Sequence, residues 1–109
     1  MEASEYQKKA MAFLNPEIET KDILLNALMG LCAESGEATD LLKKHLFQGH
    51  ELNKDDLMKE LGDVAWYLAE AAQALGEDLD TIFQMNIDKL QKRFPEGFDP
   101  KRSMKRKDE

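Results

Sequence analysis

Apolar side chains recur at helical spacing along most of the chain, and proline or glycine interrupts this pattern mostly where one stretch ends. Residues three, four and seven positions apart share one face of an α-helix, so each uninterrupted stretch predicts an amphipathic helix. The chain is therefore expected to be all-α. Its four predicted helices cover residues 3–14, 22–48, 54–75 and 80–93.

The second and third stretches are the longest. The second is predicted to start after an N-cap residue, Thr20, and to end at Gly49. The third follows Asn53 and carries apolar or small side chains on two faces, as helices at the centre of a bundle or at a subunit contact do. Because the loops between helices are short, we expect a four-helix bundle-like domain around a central antiparallel pair, assembled into a dimer or tetramer.

The charge of the chain excludes one class of partner. Residues 1–100 hold 10 Lys and Arg against 20 Asp and Glu, within a chain of net charge −7. Proteins that bind duplex nucleic acid through its phosphates need clustered basic charge, so this partner is not expected. The end of the chain is basic, and we predict a domain at 1–100 followed by a basic C-terminal tail at 101–109.

The N-terminus and the cysteine content indicate a cytoplasmic protein. Residues 1–5 lack the basic and then apolar order of a signal peptide, and no apolar run is long enough to span a membrane. Cys32 is the single cysteine, so no internal disulfide is expected. We therefore expect a cytoplasmic chain without a membrane partner.

Two acidic pairs interrupt the apolar pattern. Glu34 and Glu37 lie three residues apart in the second helix, and Glu60 and Asp63 repeat this spacing in the third. Residues three apart share a helix face, so two antiparallel helices can bring four carboxylates to one groove. Oxygen-only ligands suit Mg²⁺, with Mn²⁺ as a substitute, and do not suit structural zinc. The alternative is a network of salt bridges from these acids to Lys43, Lys59, Lys89 or Arg93.

The sequence around Asp63 favours the metal site. Asp63 is the only charged residue between Leu61 and Ala69, and aspartate is a poor helix former. A carboxylate in apolar surroundings needs a compensating partner, which a divalent cation supplies.

The fourth helix carries polar and basic side chains that complement the acidic groove. Asn86, Lys89 and Arg93 lie on one flank of its apolar stripe. An amide, an ammonium and a guanidinium group can together bind phosphate oxygens and ribose. Trp66 and Tyr67 follow the acids of the third helix, as core or interface side chains or as a platform for a nucleobase. Acids that hold cations and bases that hold phosphates are the two halves of a metal–triphosphate site.

These blocks resemble the MazG-like family of all-α nucleoside triphosphate pyrophosphohydrolases, which includes dCTP- and dUTP-hydrolysing branches. The family motif has the form EExxE, a spacer and ExxD, and here it reads AESGE, 22 intervening residues and ELGD. Ala33 replaces the first glutamate, whereas the other four acids are kept. The resemblance covers roughly residues 22–98, through the blocks LMGLCAESGEATDLLKK, LMKELGDVAWYLA and NIDKLQKRFPEGF.

The resemblance implies hydrolysis between the α- and β-phosphates of a nucleoside or deoxynucleoside triphosphate, in dimers or tetramers with active sites near subunit interfaces. With it, we expect Glu34, Glu37, Glu60 and Asp63 to hold Mg²⁺. Glu37 or Glu34 is expected to be the catalytic carboxylate that orients or deprotonates the attacking water. Substrate-binding roles are expected for Tyr67, Asn86, Lys89 and Arg93. Two alternatives stay open: a non-catalytic helical interaction module with a decayed metal site, and a hydrolase of another phosphorylated metabolite.

Overall fold

The computed structural model describes residues 1–105, and these residues form five α-helices. The predicted all-α fold is confirmed. The fifth helix was not predicted; it begins at Pro100 and continues into the expected basic tail, whose last four residues lie outside the described part of the chain. The helices are α1 (Ala3–Met11), α2 (Thr20–Gln48), α3 (Lys54–Ala74), α4 (Leu79–Arg93) and α5 (Pro100–Lys105).

Two short-range signals that frame the α2–α3 loop act as predicted. Gly49 ends α2 in a left-handed conformation, with φ of 73°, which costs a glycine little. Asn53 caps α3, because its side-chain oxygen accepts hydrogen bonds from the backbone N–H groups of Asp55 and Asp56 at 2.9 and 3.1 Å. The loop between these two residues is short, so α3 must turn back along α2.

Two predicted helix ends were wrong. Glu19 occupies the N-cap position of α2 in extended conformation, and Thr20 is already helical. α1 stops at Met11, before the predicted end at residue 14, because the chain tightens there into a turn. In this turn, the carbonyl oxygen of Met11 accepts from the backbone N–H of Leu14 at 3.2 Å.

The predicted central antiparallel pair is confirmed, and α2 and α3 form it. Asn26, near the start of α2, contacts Glu70, near the end of α3. Glu34, further along α2, meets Asp63, which lies earlier in α3. Residue numbers that increase along α2 therefore lie beside residue numbers that decrease along α3, so the two helices are antiparallel. The two acidic pairs thus lie on neighbouring helices.

α1 packs on α3 and on α4, and Gln7 fixes this contact. Its amide nitrogen donates to the side-chain oxygen of Gln73 and to the carbonyl oxygen of Glu77, both at 3.0 Å. Its amide oxygen accepts from the backbone N–H of Leu79 at 2.7 Å. One buried glutamine thus ties α1 to the turn between α3 and α4. The buried core of this contact is small: Ala10, Ala69, Ala72 and Leu79.

The isolated chain is open for its length. Its radius of gyration is 17.0 Å, whereas a compact chain of about 100 residues has a radius of about 13 Å. Among the described residues, no helix is both long enough and apolar enough to cross a membrane. Large apolar side chains remain exposed on the outer faces of α2 and α4: Leu25, Leu28, Met29, Phe83, Met85 and Ile87.

Candidate metal centre

Three carboxyl groups meet between α2 and α3. Glu34, Glu60 and Asp63 each offer one oxygen atom, and these atoms all lie within 4.8 Å of one another. Glu34 and Glu60 are half-buried, whereas Asp63 is exposed. The apolar neighbours of Asp63 in the sequence therefore do not bury it in the isolated chain. We refer to these three residues as the acidic trio.

The fourth predicted ligand, Glu37, lies outside the acidic trio. Its side chain is exposed, about one turn further along α2. Its charge still acts on the trio, because it is one of the negative charges that raise the pKa of Glu60. Glu37 is thus within electrostatic range of the site, and its role as a ligand stays a prediction.

The lysines that follow on α2 pair with a different acid. Lys44 and Lys43 lie 2.9 and 3.3 Å from the two carboxylate oxygens of Asp40. Their hydrogen bonds, that of Lys44 first, hold the pKa of Asp40 below its usual value. Lys43, one of the cations expected in a salt-bridge network with the acids, therefore pairs with Asp40 and not with the trio.

Desolvation and the crowding of negative charge raise the pKa of Glu60. Desolvation of its half-buried carboxyl group raises the pKa, and a hydrogen bond with Glu34 and the charges of Glu34, Asp63 and Glu37 raise it further. A divalent cation that binds this group must displace the proton, because a carboxyl ligand binds metal in its deprotonated form. A donor set made only of carboxylate oxygens fits Mg²⁺ or Mn²⁺ and does not fit metals that prefer nitrogen or sulfur.

This raised pKa predicts that metal binding and pH are linked. The folded chain holds a proton on Glu60 more tightly than the unfolded chain, so the stability of the metal-free protein falls as pH rises through the folded pKa. A divalent cation bound by these carboxylates would compete with that proton, so its stabilising effect would grow over the same range. We expect the rise in melting temperature caused by Mg²⁺ to be larger at about pH 7.5 than at about pH 4.5, near the ordinary pKa of a glutamate. Equal shifts at both pH values, in thermal unfolding followed by circular dichroism, would contradict the proton–metal competition.

A cavity of about 390 Å³ opens beside the acidic trio. Two of the acids form one part of its wall, and three aromatic side chains form the rest. A cavity of this size lies within the range of small-molecule sites, and rings beside acids suit a ligand with a flat apolar part and a charged part. The wall consists of Phe13, Glu34, Asp63, Trp66 and Tyr67.

Tyr67, a predicted substrate-binding residue, is held in place by the backbone of α2. A β-carbon at Gly30 would overlap the ring of Tyr67, so glycine is required where the ring packs on the helix. Trp66 meets this ring edge-to-face, with centroids 5.0 Å apart, and its indole N–H donates to the carbonyl oxygen of Ala10 at 2.9 Å. These contacts fix two of the three rings.

Two residues near the N-terminus reach the site, and neither was predicted to belong to it. Tyr6 on α1 is half-buried, and burial, followed by the negative charge of Asp63, raises the pKa of its hydroxyl group. Phe13 lies in the turn after α1 and lines the cavity. Tyr6 and Phe13 both belong to the apolar stripe of the first predicted helix, a pattern that indicates a core position and gives no signal for the cavity.

The predicted phosphate-binding residues lie on α4, which packs on α1 and on α3. Asn86 and Lys89 are exposed, and Arg93 is half-buried with its guanidinium 5.7 Å from the centre of the Phe94 ring. The cavity wall described above contains no residue of α4. Their contact with a substrate stays a prediction.

Comparison with known proteins identifies the family. Residues 22–98 match the profile described as the MazG nucleotide pyrophosphohydrolase domain. The "Gene 37 protein" of Mycobacterium phage L5 is 44% identical over 73 residues, which cover 63% of this chain and 64% of that protein, so the chain spans less than two thirds of this relative. No solved structure matches. The profile contains both acidic pairs and the two fixed rings of the cavity, and the chain belongs to the MazG nucleotide pyrophosphohydrolase family.

Proposed function

We propose that this protein hydrolyses nucleoside or deoxynucleoside triphosphates to monophosphates and pyrophosphate, with Mg²⁺ as its cofactor. The observation that carries the proposal is the acidic trio, whose oxygens lie within 4.8 Å of one another beside an aromatic cavity. Membership of the MazG family supports the reaction class. We assign the activity to housekeeping of the cytoplasmic nucleotide pool, with neither a membrane nor duplex nucleic acid as partner.

The carboxylates have two tasks in this reaction. Glu34, Glu60 and Asp63 would hold Mg²⁺, together with Glu37, and the bound ion supplies positive charge to the triphosphate oxygens. Glu37 or Glu34 orients the attacking water and accepts its proton. Water adds to one of the two phosphorus atoms joined by the α–β bridging oxygen. The bond between that phosphorus and the bridging oxygen breaks, and the products are the monophosphate and pyrophosphate.

The remaining phosphate charge requires cations from the protein. We propose that Lys89 and Arg93 supply them, since a guanidinium group can bind two phosphate oxygens at once. Asn86 and Tyr67 are proposed to contact the sugar or the base. These side chains belong to a catalytic domain at residues 1–100, and residues 101–109 form a basic tail outside it.

We further propose that the chain works as a homodimer or homotetramer. The exposed face of α2 that contains Leu25, Leu28 and Met29 is apolar, and exposed apolar area of this kind is typical of subunit contacts. A chain of this size buries little core alone, so a second copy is the simplest source of further buried area.

Substitution of Met29 by glutamate is expected to weaken this assembly. Met29 is 65% exposed in the single chain, so the charge is tolerated there but would lie desolvated in a subunit contact. Thr20→Glu adds the same charge on an exposed position of the same helix and is the control. Light scattering should give a multiple of 12.5 kDa for the wild type and the control, and a lower mass for Met29→Glu. A monomeric wild type would refute the assembly.

A panel of ribo- and deoxyribonucleoside triphosphates with Mg²⁺ tests the reaction directly. We expect pyrophosphate and the monophosphate in equal amounts, with no diphosphate, and Mn²⁺ should replace Mg²⁺. Mg²⁺ with nucleotide should also raise the melting temperature, because a ligand that binds only the folded state stabilises it. A non-catalytic interaction module would give no product and no such stabilisation.

A further inference from the structure

We infer that Phe13 is the platform on which the nucleobase of the substrate stacks. The inference rests on the proposed function and assigns a binding residue that neither the motif nor the family profile, which begins at residue 22, contains. It concerns the aromatic part of the cavity wall and does not involve the metal.

The three rings of the cavity are not equally available to a ligand. The ring of Tyr67 lies against the backbone of α2 at Gly30, and Trp66 packs on the core and donates to Ala10. The side chain of Phe13, by contrast, is 80% exposed although it lines the same cavity. Among these rings, Phe13 is therefore the one with a broad face open to stacking.

The backbone that carries Phe13 is anchored, which keeps its exposed ring beside the cavity. The backbone N–H of Phe13 donates to the carbonyl oxygen of Ala10 at 3.1 Å, and the same carbonyl accepts from the indole of Trp66. The turn after α1 is thereby tied to α3, the helix that bears Asp63. Because this backbone is already ordered, stacking of a base on Phe13 costs only the rotational freedom of one side chain.

The position of Phe13 relative to the acids fits a nucleoside triphosphate. Glu34 and Asp63 form the charged part of the same wall, where a metal–triphosphate group would lie, and the base would then extend towards the rings. Stacking does not read the edge of a base, because every base has a π-face. Purine and pyrimidine nucleotides should therefore depend on Phe13 alike.

The decisive test compares substrates with and without a base. Steady-state hydrolysis of dATP, dCTP and 2-deoxyribose 5-triphosphate is measured for the wild type, Phe13→Ala, Phe13→Leu and Phe13→Tyr. We expect KM for both nucleotides to rise about tenfold in the alanine and leucine variants, with kcat little changed and the tyrosine variant close to wild type. Hydrolysis of the base-free triphosphate should not change.

Phe47 provides the control, because it is also 80% exposed but lies on α2 and does not line the cavity. Phe47→Ala should keep the wild-type KM for all three substrates. The inference is overturned if Phe13→Ala keeps the wild-type KM for nucleotides, or if its KM for the base-free triphosphate rises by the same factor. It is also overturned if Phe13→Ala lowers the mass in light scattering, because Phe13 would then lie in a subunit contact. If the wild type hydrolyses none of the three substrates with Mg²⁺, it is the proposed function that fails.

Discussion

Replacement of Asp63 by alanine is expected to abolish triphosphate hydrolysis while the helical fold survives. Asp63 offers one of the three oxygens that lie within 4.8 Å of one another, so its loss opens the proposed metal site. A catalytic metal contributes several kcal/mol to transition-state stabilisation, and each 1.36 kcal/mol is tenfold in rate, so we expect kcat to fall by roughly a thousandfold or more. Full activity in this variant would refute the proposed site.

The same substitution should stabilise the metal-free protein, although it abolishes hydrolysis. The charge of Asp63 is one of the causes of the raised pKa of Glu60, so its removal relieves repulsion in the metal-free protein. Alanine is also a better helix former than aspartate. We expect metal-free Asp63→Ala to melt above the wild type and to lose the stabilisation by Mg²⁺.

The control is Asp56→Ala, which removes an exposed acid from the first turn of the same helix. It should keep hydrolysis and the response to Mg²⁺, and lose only the small dipole interaction of that turn. Loss of activity in both variants would indicate a general effect of charge, and the site-specific role of Asp63 would then be wrong.

The sequence predicted the features of this protein that depend on local periodicity. Helical spacing of apolar residues located four helices, and Asn53 and Gly49 marked the ends on either side of the α2–α3 loop. Because that loop is short, the two acidic pairs were expected on neighbouring antiparallel helices. Oxygens of Glu34, Glu60 and Asp63, three of the four predicted ligands, lie within 4.8 Å of one another, and Glu37 lies outside this group.

The features that escaped prediction depend on contacts between distant parts of the chain. Gly30 is a costly residue inside a helix, but no local pattern indicates that the ring of Tyr67 lies against it. The exposure of Asp63 escaped prediction because residues next to it in the sequence lie on other sides of the helix, and Leu61 is itself 54% exposed. The burial of Glu70, four residues beyond Trp66, was not predicted either, because it depends on the register between α2 and α3.

Glu70 leads to the second prediction of large effect, because it is a carboxyl group with no exposure to water. Both of its oxygens accept from the side-chain amide of Asn26, at 3.0 and 2.9 Å. A buried polar group that loses its donor keeps its desolvation cost, which is about 1–3 kcal/mol for a neutral group and larger for a charged one. Asn26→Leu is therefore expected to destabilise the fold by about 3 kcal/mol.

A double-mutant cycle separates this cost from ordinary packing effects. Glu70→Met should cost less than Asn26→Leu, because the amide that it leaves behind is on an exposed residue and can bind water. The double variant should recover most of the stability, since replacing both partners by apolar groups of similar shape is nearly neutral. Urea unfolding at one protein concentration gives all four free energies of unfolding. Additive losses in the double variant would mean that the Asn26–Glu70 hydrogen bonds do not hold α2 and α3 together.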